Sequence, residues 1–412
     1  MALVDLRCRE LLTFSTDGPF GPLDPSVWRD RDDQLVGRVS DARVRMDGDR
    51  VVHVGAWDAP PPGPAPDAVV ACGVVTPALV DCHTHAIFAG TRVDDFVARN
   101  AGVSYAEILE AGGGIVSSMR SSRAASDDTL ARTLRERLNR FAELGVYTVE
   151  VKTGYGLSVE HELRHLRIIR DVAASHPVEV VATCLSGHAF PPEFRDDPDA
   201  WIDAIVTRIL PVVADEALAE QVDVFCDRGA LTVAQSRRVL EAARDLGFGL
   251  RVHAEELAHT GATALACALG AASADHLEHI TAADVAAMAE ADVAAVLLPL
   301  VTVHLDLPDR APARALADAG VRVAVSTDYN PGSANGIDLL ATASLACSLM
   351  KLTPGEALRG ITRVAADVVA RPTRGRVAPG SVGPLLEWDV DDWAELTWTM
   401  GAMRPSRVFG AA

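Results

Sequence analysis

Residues 74–85 read Val-Val-Thr-Pro-Ala-Leu-Val-Asp-Cys-His-Thr-His, an apolar run that passes directly into two histidines spaced two apart. Onward to Asp328, short β-branched runs alternate with amphipathic helical stretches, the pattern of repeated βα units around a parallel sheet. The run at Val74 is therefore the first of eight predicted strands. They are Val74–Cys82, Tyr147–Lys152, Val178–Cys184, Val222–Phe225, Leu250–His253, Ala272–His276, Val293–Leu298 and Val321–Ser326.

The helices between these strands are also readable. One begins at Asp127, carries an apolar stripe and stops at Gly145, and another spans Thr232–Leu246. Because every predicted strand is apolar enough to be covered on both faces, the α/β class with a closed (β/α)8 TIM-like barrel is favoured. An open doubly wound sheet is the alternative.

The two ends of the chain predict a second, smaller domain. The segment Gln34–Gly55 contains alternating runs split by Asp47-Gly48-Asp49, which is a hairpin signal, and Pro60–Pro66 is a proline-rich connector. The segment Gly375–Phe409 also consists of short strands and turns. We expect a small β-sandwich domain from residues 1–73 and 371–412, with the catalytic barrel at 74–370.

Composition restricts the partners. A chain of 412 residues with a formal net charge of -19 is repelled by nucleic acid and by anionic membrane surfaces, so a small-molecule partner is favoured. An anionic small molecule would need local cations. Seven scattered cysteines without a C-x-x-C pair argue against a disulfide framework and a cysteine zinc site. With neither an export signal nor a membrane-spanning run at the N-terminus, we expect a cytoplasmic protein.

Polar residues gather where the predicted strands end, which is where barrel enzymes carry their chemistry. His83 and His85 close the first strand, and five further residues follow later strands. These are His188 after the third strand, His253 and Glu256 at the fifth, His276 at the sixth and Asp328 after the eighth.

His83 and His85 point to the same side of an extended strand and can address one ion. An H-x-H pair alone is as often two solvated histidines, but His253 and Asp328 lie at matching strand ends. Three imidazoles and one carboxylate suit zinc or ferrous iron, which would activate water for hydrolysis.

Hydrolysis also requires proton transfer. Glu256, three residues after His253, is the predicted proton shuttle, with Glu255 beside it as the better candidate for a surface or helix-start role. His276 is predicted to polarise the carbonyl or hold the nucleophile, and a structural histidine at the barrel rim is the alternative. His279 is assigned a structural role.

Seven segments resemble the successive motifs of the imidazolonepropionases, a family of the amidohydrolase superfamily. They are DCHTHAIFAGTR, GVSYAEILEAGGGIVSSMR, EVKTGYG, SGHAFPPEF, VHAEE, ADHLEH and STDYNPGS. The H-x-H pair is common to the superfamily, whereas the glycine-rich loop and EVKTGYG are narrower signals. The resemblance implies hydrolysis of 4-imidazolone-5-propanoate to N-formimidoyl-L-glutamate in histidine degradation, with one zinc or iron ion per subunit and a homodimer.

The resemblance also implies the residues that bind the substrate. Arg92 supplies the local cation for a propionate, because an arginine fork holds a carboxylate by two hydrogen bonds; a surface salt bridge is the alternative. The full implied set is Arg92, Tyr105, Tyr155, His188, Glu256, Asn330, Gly332 and Ser333, with Glu256, His276 and Asp328 as catalytic residues and His83, His85, His253 and Asp328 as metal ligands.

The chain departs from the family's pattern in a few places. SGHAF stands where GAHAV is usual, Tyr329 and Ser333 lie where leucine and threonine are more common, and residues 14–31 match little. Lys152 closes the second strand rather than the fourth, which favours a single metal over a lysine-bridged pair. The rivals are a ring deaminase of the same superfamily and a non-catalytic barrel, which would lack metal ligands.

Overall fold

A computed structural model of the chain describes residues 3–16 and 20–411, except for the side chains of Tyr105, Ala106 and Leu109. The predicted substrate contact of Tyr105 therefore lies outside the described side chains. Within the described residues, none of the helices has both the length and the apolar character needed to cross a bilayer.

The first part of the chain forms four strands and one helix. The hairpin predicted at Asp47-Gly48-Asp49 is confirmed: Gly48 has φ 63°, and it forms with Asp49 the two-residue link that such turns require. The elements are β1 (Leu3–Leu12), α1 (Trp28–Leu35), β2 (Arg38–Asp47), β3 (Arg50–Ala56) and β4 (Ala68–Pro77).

The centre of the chain forms eight parallel strands hydrogen-bonded in sequence order, which confirms the predicted barrel. The predicted strand Val74–Cys82 is divided, because its first part belongs to β4 and only its end enters the barrel. The barrel strands are β5 (Leu79–Asp81), β6 (Val146–Lys152), β7 (Glu179–Gly187), β8 (Gln221–Cys226), β9 (Gly249–Ala254), β10 (Ser273–His276), β11 (Ala294–Leu297) and β12 (Val323–Val325).

Helices lie between these strands along the chain and after the last of them. They are α2 (Val93–Asn100), α3 (Tyr105–Glu110), α4 (Ile115–Ala124), α5 (Asp127–Glu143), α6 (Val159–Ala173), α7 (Pro198–Ala204), α8 (Leu210–Asp215), α9 (Val233–Asp245), α10 (Ala262–Leu269), α11 (Ala282–Ala291), α12 (Pro299–His304), α13 (Ala313–Asp318), α14 (Leu339–Met350), α15 (Pro354–Arg359) and α16 (Ala365–Val368). The segments Ile205–Ile209 and Gly360–Val364 are π-helical turns, and Pro192–Phe194 is a 3-10 turn.

Two predicted helices show why the chain folds locally as expected. In α5, Ser126 caps the first turn, the stripe residues are buried, and Gly145 follows with φ 85°. In α9, Thr232 and Gln235 form a capping box. The buried stripe of α5 consists of Leu130, Leu134, Leu138 and Phe141.

The barrel closes between its first and last strands through a side chain. The buried Asp81 carboxylate accepts hydrogen bonds from the Thr327 hydroxyl at 2.6 Å, from the Thr327 backbone N–H at 3.3 Å and from the Ser326 hydroxyl. Just beyond, the Asp328 N–H donates to the His83 carbonyl at 3.1 Å. These hydrogen bonds therefore place His83, after the first barrel strand, beside Asp328, after the last one.

The C-terminal segment returns to the small domain as β13 (Leu385–Trp388), α17 (Glu395–Trp398) and β14 (Arg407–Phe409). We expected two stacked sheets, but the six strands form one sheet in the order β14-β13-β4-β1-β2-β3. The reason is β4, which pairs with β1 up to Val75 and with β13 from Val74 to Pro77. The domain boundaries at 73/74 and 370/371 stay a prediction.

Helix α1, whose first residues end the poorly matching N-terminal stretch, is tied to the barrel by one buried carboxylate. Asp32 of α1 accepts from the Thr353 hydroxyl at 2.7 Å and from the Gly355 N–H at 2.9 Å, both at the start of α15. These bonds anchor α1 against a barrel helix.

Candidate active site

The predicted metal ligands converge at the carboxyl ends of three strands. His83 and His85 follow β5, His253 lies near the end of β9, and Asp328 comes three residues after β12. All four side chains are buried. The Nε2 atoms of His85 and His253 lie 3.4 Å apart, and Asp328 Oδ1 lies 3.2 Å from His85 Nε2 and 3.5 Å from His83 Nε2.

These separations suit a divalent ion. Four ligand atoms that each lie about 2.1 Å from one tetrahedral ion are about 3.4 Å from each other. His83 Nε2 and Asp328 Oδ1 are buried without a hydrogen-bond partner among the described residues, a costly state that an ion would relieve. Burial holds the pKa of His83 and of His85 well below the ordinary range, so both are neutral, the form that binds metals. His83, His85 and His253 thus form a group able to hold a metal ion.

A layer of buried charges supports these ligands from behind. Asp275 accepts from His83 Nδ1 at 2.5 Å and from Arg251 at 2.6 Å, and Asp223 lies 3.1 Å from His253 Nδ1. Such partners fix the ring orientation and tautomer of a metal-binding histidine. These partners were not predicted from the sequence, although a charged residue within an apolar strand, as in Val-Asp-Val of β8, is a usable signal.

Lys152 belongs to the same layer. Its ammonium lies 2.8 Å from Glu150 and 2.8 Å from Asp223. Burial and the nearby Arg251 lower its pKa, but the facing carboxylates outweigh them and raise it, so the side chain is a paired cation. That Lys152 does not bridge two metals stays a prediction.

The adjacent glutamates Glu255 and Glu256 have separate environments. Glu255 is buried and accepts from the N–H groups of Thr260, Gly261 and Thr263, at 2.5, 3.1 and 3.1 Å. It thereby caps the start of α10, which is the structural role assigned to it from sequence. Glu256 points the other way, with 13% of its side chain exposed and Oε2 3.7 Å from His276 Nε2.

Burial shifts the pKa of Glu256 and that of His276 in opposite directions. Burial, reinforced by the negative charges of Glu278 and Asp328, raises the pKa of Glu256 well above its ordinary range. Burial also lowers the pKa of His276 to about 3, so the imidazole is neutral at pH 7. The His276 ring lies 5.3 Å from that of His253 and 5.8 Å from that of His83. Both residues are therefore beside the ligand group.

Two predicted substrate residues form an aromatic wall next to the ligands. The His188 ring stacks on His85 with centroids 4.9 Å apart, and Tyr155 lies 5.5 Å from His188 and 6.0 Å from His85. Gly154, with φ 112°, permits this approach, because a Cβ there would meet His188 Nδ1 at 2.7 Å. The EVKTGYG motif therefore places Tyr155 and leaves room for His188.

Arg92 lies against the loop that follows Asp328. A Cβ on Gly332 would meet Arg92 Nη1 at 1.9 Å, so a side chain there would displace the guanidinium. Within the described part of the chain, the only hydrogen bond of the guanidinium runs from Nε to Asp95 Oδ2 at 2.8 Å. Asp95 also accepts from the Gly114 N–H at 2.9 Å and links Arg92 to the glycine-rich loop.

Asn330 and Ser333 are placed in the same loop but turn inward. The Asn330 amide group donates to Asp328 Oδ2 at 2.8 Å and to the Ser333 hydroxyl at 2.8 Å, and its carbonyl oxygen accepts from the Gly332 and Ser333 N–H groups. The observed bonds make Asn330 an organiser of the Asp328 loop. Direct substrate contact by either residue stays a prediction.

The fold and the ligand group together define a class. The amidohydrolase family model matches residues 74–403, and the chain belongs to that family. An adenosine deaminase from Xanthomonas campestris with bound zinc has the same fold, with a TM-score of 0.70 at 16% identity over 99% of this chain and 92% of that one.

Within that family, several curated proteins that resemble this chain are imidazolonepropionases. The chain is 41% identical to the imidazolonepropionase of Erwinia tasmaniensis, over 90% of this chain and 92% of that protein. It is 42% identical to the imidazolonepropionase of Ectopseudomonas mendocina, over 93% of this chain and 96% of that protein. These likenesses place it among the imidazolonepropionases.

Proposed function

We propose that this chain hydrolyses 4-imidazolone-5-propanoate to N-formimidoyl-L-glutamate, a step of histidine degradation. The proposal rests on the arrangement of two groups around the loop of residues 328–333. The three imidazoles lie beside Asp328 at the start of this loop, and the Arg92 guanidinium lies against Gly332 near its end. The first arrangement suits hydrolysis and the second suits a carboxylate-bearing substrate.

We infer that His83, His85, His253 and Asp328 hold one zinc or iron ion per subunit. A divalent ion in such a set lowers the pKa of bound water to roughly 7 and supplies a nucleophile at neutral pH. The neutral imidazoles, the unpartnered Asp328 oxygen and the fixing of His83 by Asp275 support this ligand set.

The chain's own residues bind the substrate and move the proton. Arg92 would hold the propionate, with the wall of Tyr155 and His188 against the ring. Glu256 would take a proton from the attacking water and deliver it to the departing ring nitrogen. One C–O bond forms at the ring carbonyl carbon and one C–N bond breaks, so one water is consumed. His276 would donate a hydrogen bond to the carbonyl oxygen as negative charge develops there.

We expect a small-molecule partner and a cytoplasmic location. The substrate is a small anion, the net charge of -19 disfavours nucleic acid and anionic membranes, and the composition favours the cytoplasm. A homodimer is expected from the family likeness.

The test is turnover of 4-imidazolone-5-propanoate by the metal-loaded protein, followed as loss of ultraviolet absorbance. Glu256→Gln should lower kcat about 100-fold or more, since a positioned proton-transfer group contributes 10²–10⁴-fold. Glu290→Gln, on the exposed face of α11, is the matched control and should behave as the wild type. Ammonia release from a nucleobase, without loss of imidazolone absorbance, would instead identify a deaminase and overturn the proposal.

A further inference from the structure

One buried acid near the site has no role in the mechanism above. Glu278 follows His276 by two residues, its side chain is 1% exposed, and both of its carboxyl oxygens lack a hydrogen-bond partner among the described residues. The Nδ1 atom of His276 is likewise buried and unpartnered, and it lies 3.9 Å from Glu278 Oε2. Two unsatisfied polar groups therefore face each other.

The backbone is strained where it brings them together. His276 and Leu277 have φ of 78° and 76°, a region that bulky residues rarely adopt. Two backbone hydrogen bonds hold this turn, from Leu277 N–H to the Ala254 carbonyl at 3.1 Å and from His279 N–H to the Glu255 carbonyl at 2.9 Å. Strain of this kind persists at functional sites when the surroundings enforce it.

Stability alone does not explain a carboxyl group here, because an apolar side chain would avoid the cost of burying unpaired oxygens. The groups that face Glu278 and Glu256 are Asp227, after β8, and Asp328, after β12, and both are acidic. Burial, with these negative charges, raises the pKa of Glu278 to about 8. At neutral pH the side chain is therefore mostly an uncharged acid that can donate a proton in a hydrogen bond.

We propose that Glu278 is a positioning residue that donates a hydrogen bond to Nδ1 of His276 and thereby keeps the single imidazole proton on Nε2. The 3.9 Å separation is about 1 Å longer than a hydrogen bond. Catalytic hydrogen bonds are often long before substrate binds. With Nδ1 as the acceptor, Nε2–H faces Glu256 and the substrate side as a donor.

This inference rests on the proposed function, in which the Nε2–H group of neutral His276 polarises the ring carbonyl. Without the Glu278 donor, the imidazole would be free to place its proton on Nδ1. Nε2 would then present a lone pair to the developing oxyanion, and the site would lose a hydrogen bond that forms in the transition state. The effect should therefore appear in kcat.

The experiment compares Glu278→Gln, whose amide still donates, with Glu278→Met, which has a similar length and no donor. Glu278→Gln should keep kcat within about threefold, and Glu278→Met should lower it about 100-fold with KM and metal content unchanged, as for loss of one transition-state donor. The kcat of the wild type should fall as the pH rises through about 8, where Glu278 ionises, and Glu278→Gln should lack this fall.

Nitrogen-15 NMR of histidine-labelled protein gives a second readout that needs no turnover, with the His276 signals assigned by their loss in His276→Asn. Wild type and Glu278→Gln should carry the His276 proton on Nε2. A proton on Nδ1 in the wild type, equal kcat in the Gln and Met variants, or an unchanged alkaline fall in Glu278→Gln would each overturn the inference. If the tautomer is as expected but imidazolone propionate is not hydrolysed, the proposed function fails and the positioning role stands.

Discussion

At the scale of single residues, the site depends on carboxylates that contact the predicted metal ligands from behind and are not themselves ligands. Asp275 receives three hydrogen bonds from side chains, from His83 at 2.5 Å, Arg251 at 2.6 Å and Ser273 at 2.6 Å. It therefore fixes which ring nitrogen of His83 faces the ligand group, and it is itself held by a buried cation. The orientation of His83 is thus set by the buried pair of Asp275 and Arg251 behind it.

Asp275→Asn should weaken metal binding by about 10–100-fold, the usual cost of removing a partner that orients a metal-binding histidine. Competition with a chelator of known affinity measures this, and circular dichroism checks that the variant folds. Asp245→Asn, at the exposed end of α9, is the control. Unchanged metal affinity in folded Asp275→Asn would show that His83 is oriented without it.

At the scale of elements, helix α5 contacts the loops after β5 and β12, which carry predicted metal ligands. Arg137 donates to the carbonyls of Ala86 and Phe88 at 2.7 and 2.8 Å, directly after His85. Its guanidinium also lies over the Phe88 ring at 3.5 Å and 5.9 Å from the Tyr329 ring centre, next to Asp328. One helix residue thus joins the loops after β5 and β12.

Arg137→Met should lower both the thermal midpoint and the metal affinity, because hydrogen bonds from a charged group contribute about 1.5–3 kcal/mol each. Arg132→Met, on the exposed face of the same helix, removes the same charge and should change neither. Differential scanning fluorimetry with and without added zinc measures both properties. Equal thermal midpoints and metal affinities in the two variants would show that Arg137 does not stabilise the two loops.

At the scale of the whole molecule, the small sheet is attached to the barrel by aromatic packing. Trp388 of β13 is 1% exposed, donates from Nε1 to the Thr76 hydroxyl at 2.9 Å, and packs against Gly145, where a Cβ would meet its ring at 3.3 Å. The turn that ends α5 therefore carries glycine both for its positive φ and for this contact. The two termini consequently support the barrel.

Trp388→Ala should destabilise the protein by about 3–5 kcal/mol through the cavity and the lost burial. Trp398→Ala is the matched control, since Trp398 is 80% exposed. Thermal unfolding of both variants and the wild type makes the comparison, and a midpoint for Trp388→Ala equal to that of the control would contradict the packing argument.

Buried histidines make stability depend on pH. Burial lowers the pKa of His165, in α6, from 6.5 to about 3, so the folded state keeps it neutral while the unfolded state takes up a proton below pH 6.5. The unfolded state binds more protons between these values, so stability falls as the pH falls, by up to about 1.4 kcal/mol per pH unit for one group.

His165→Leu should therefore show a smaller drop in thermal midpoint between pH 6 and pH 4 than the wild type. Between pH 8 and pH 9 the residue is almost fully neutral in both states, and the two proteins should show the same slope there, which serves as the internal control. Parallel curves over the acid range would show that His165 does not contribute.

The barrel and the candidate metal ligands could be predicted from the amino-acid sequence alone. The parallel barrel follows from eight apolar runs that need covering on both faces. His83, His85, His253 and Asp328 lie at strand ends that any parallel barrel brings to one rim. Local signals also sufficed for the Gly48 hairpin and for the helix ending at Gly145, because both depend on backbone conformation within a few residues.

Features that depend on contacts between residues far apart in the chain could not be predicted and became visible only in the folded protein. Neighbours in sequence, Glu255 and Glu256, have opposite roles because one faces the N–H groups at the start of α10 and the other faces His276. Likewise, the pairing of Asp275 with His83 and of Glu278 with His276 Nδ1 depends on separations between side chains that no periodicity encodes. The single small sheet also arises this way, since β4 is shared between strands from opposite ends of the chain.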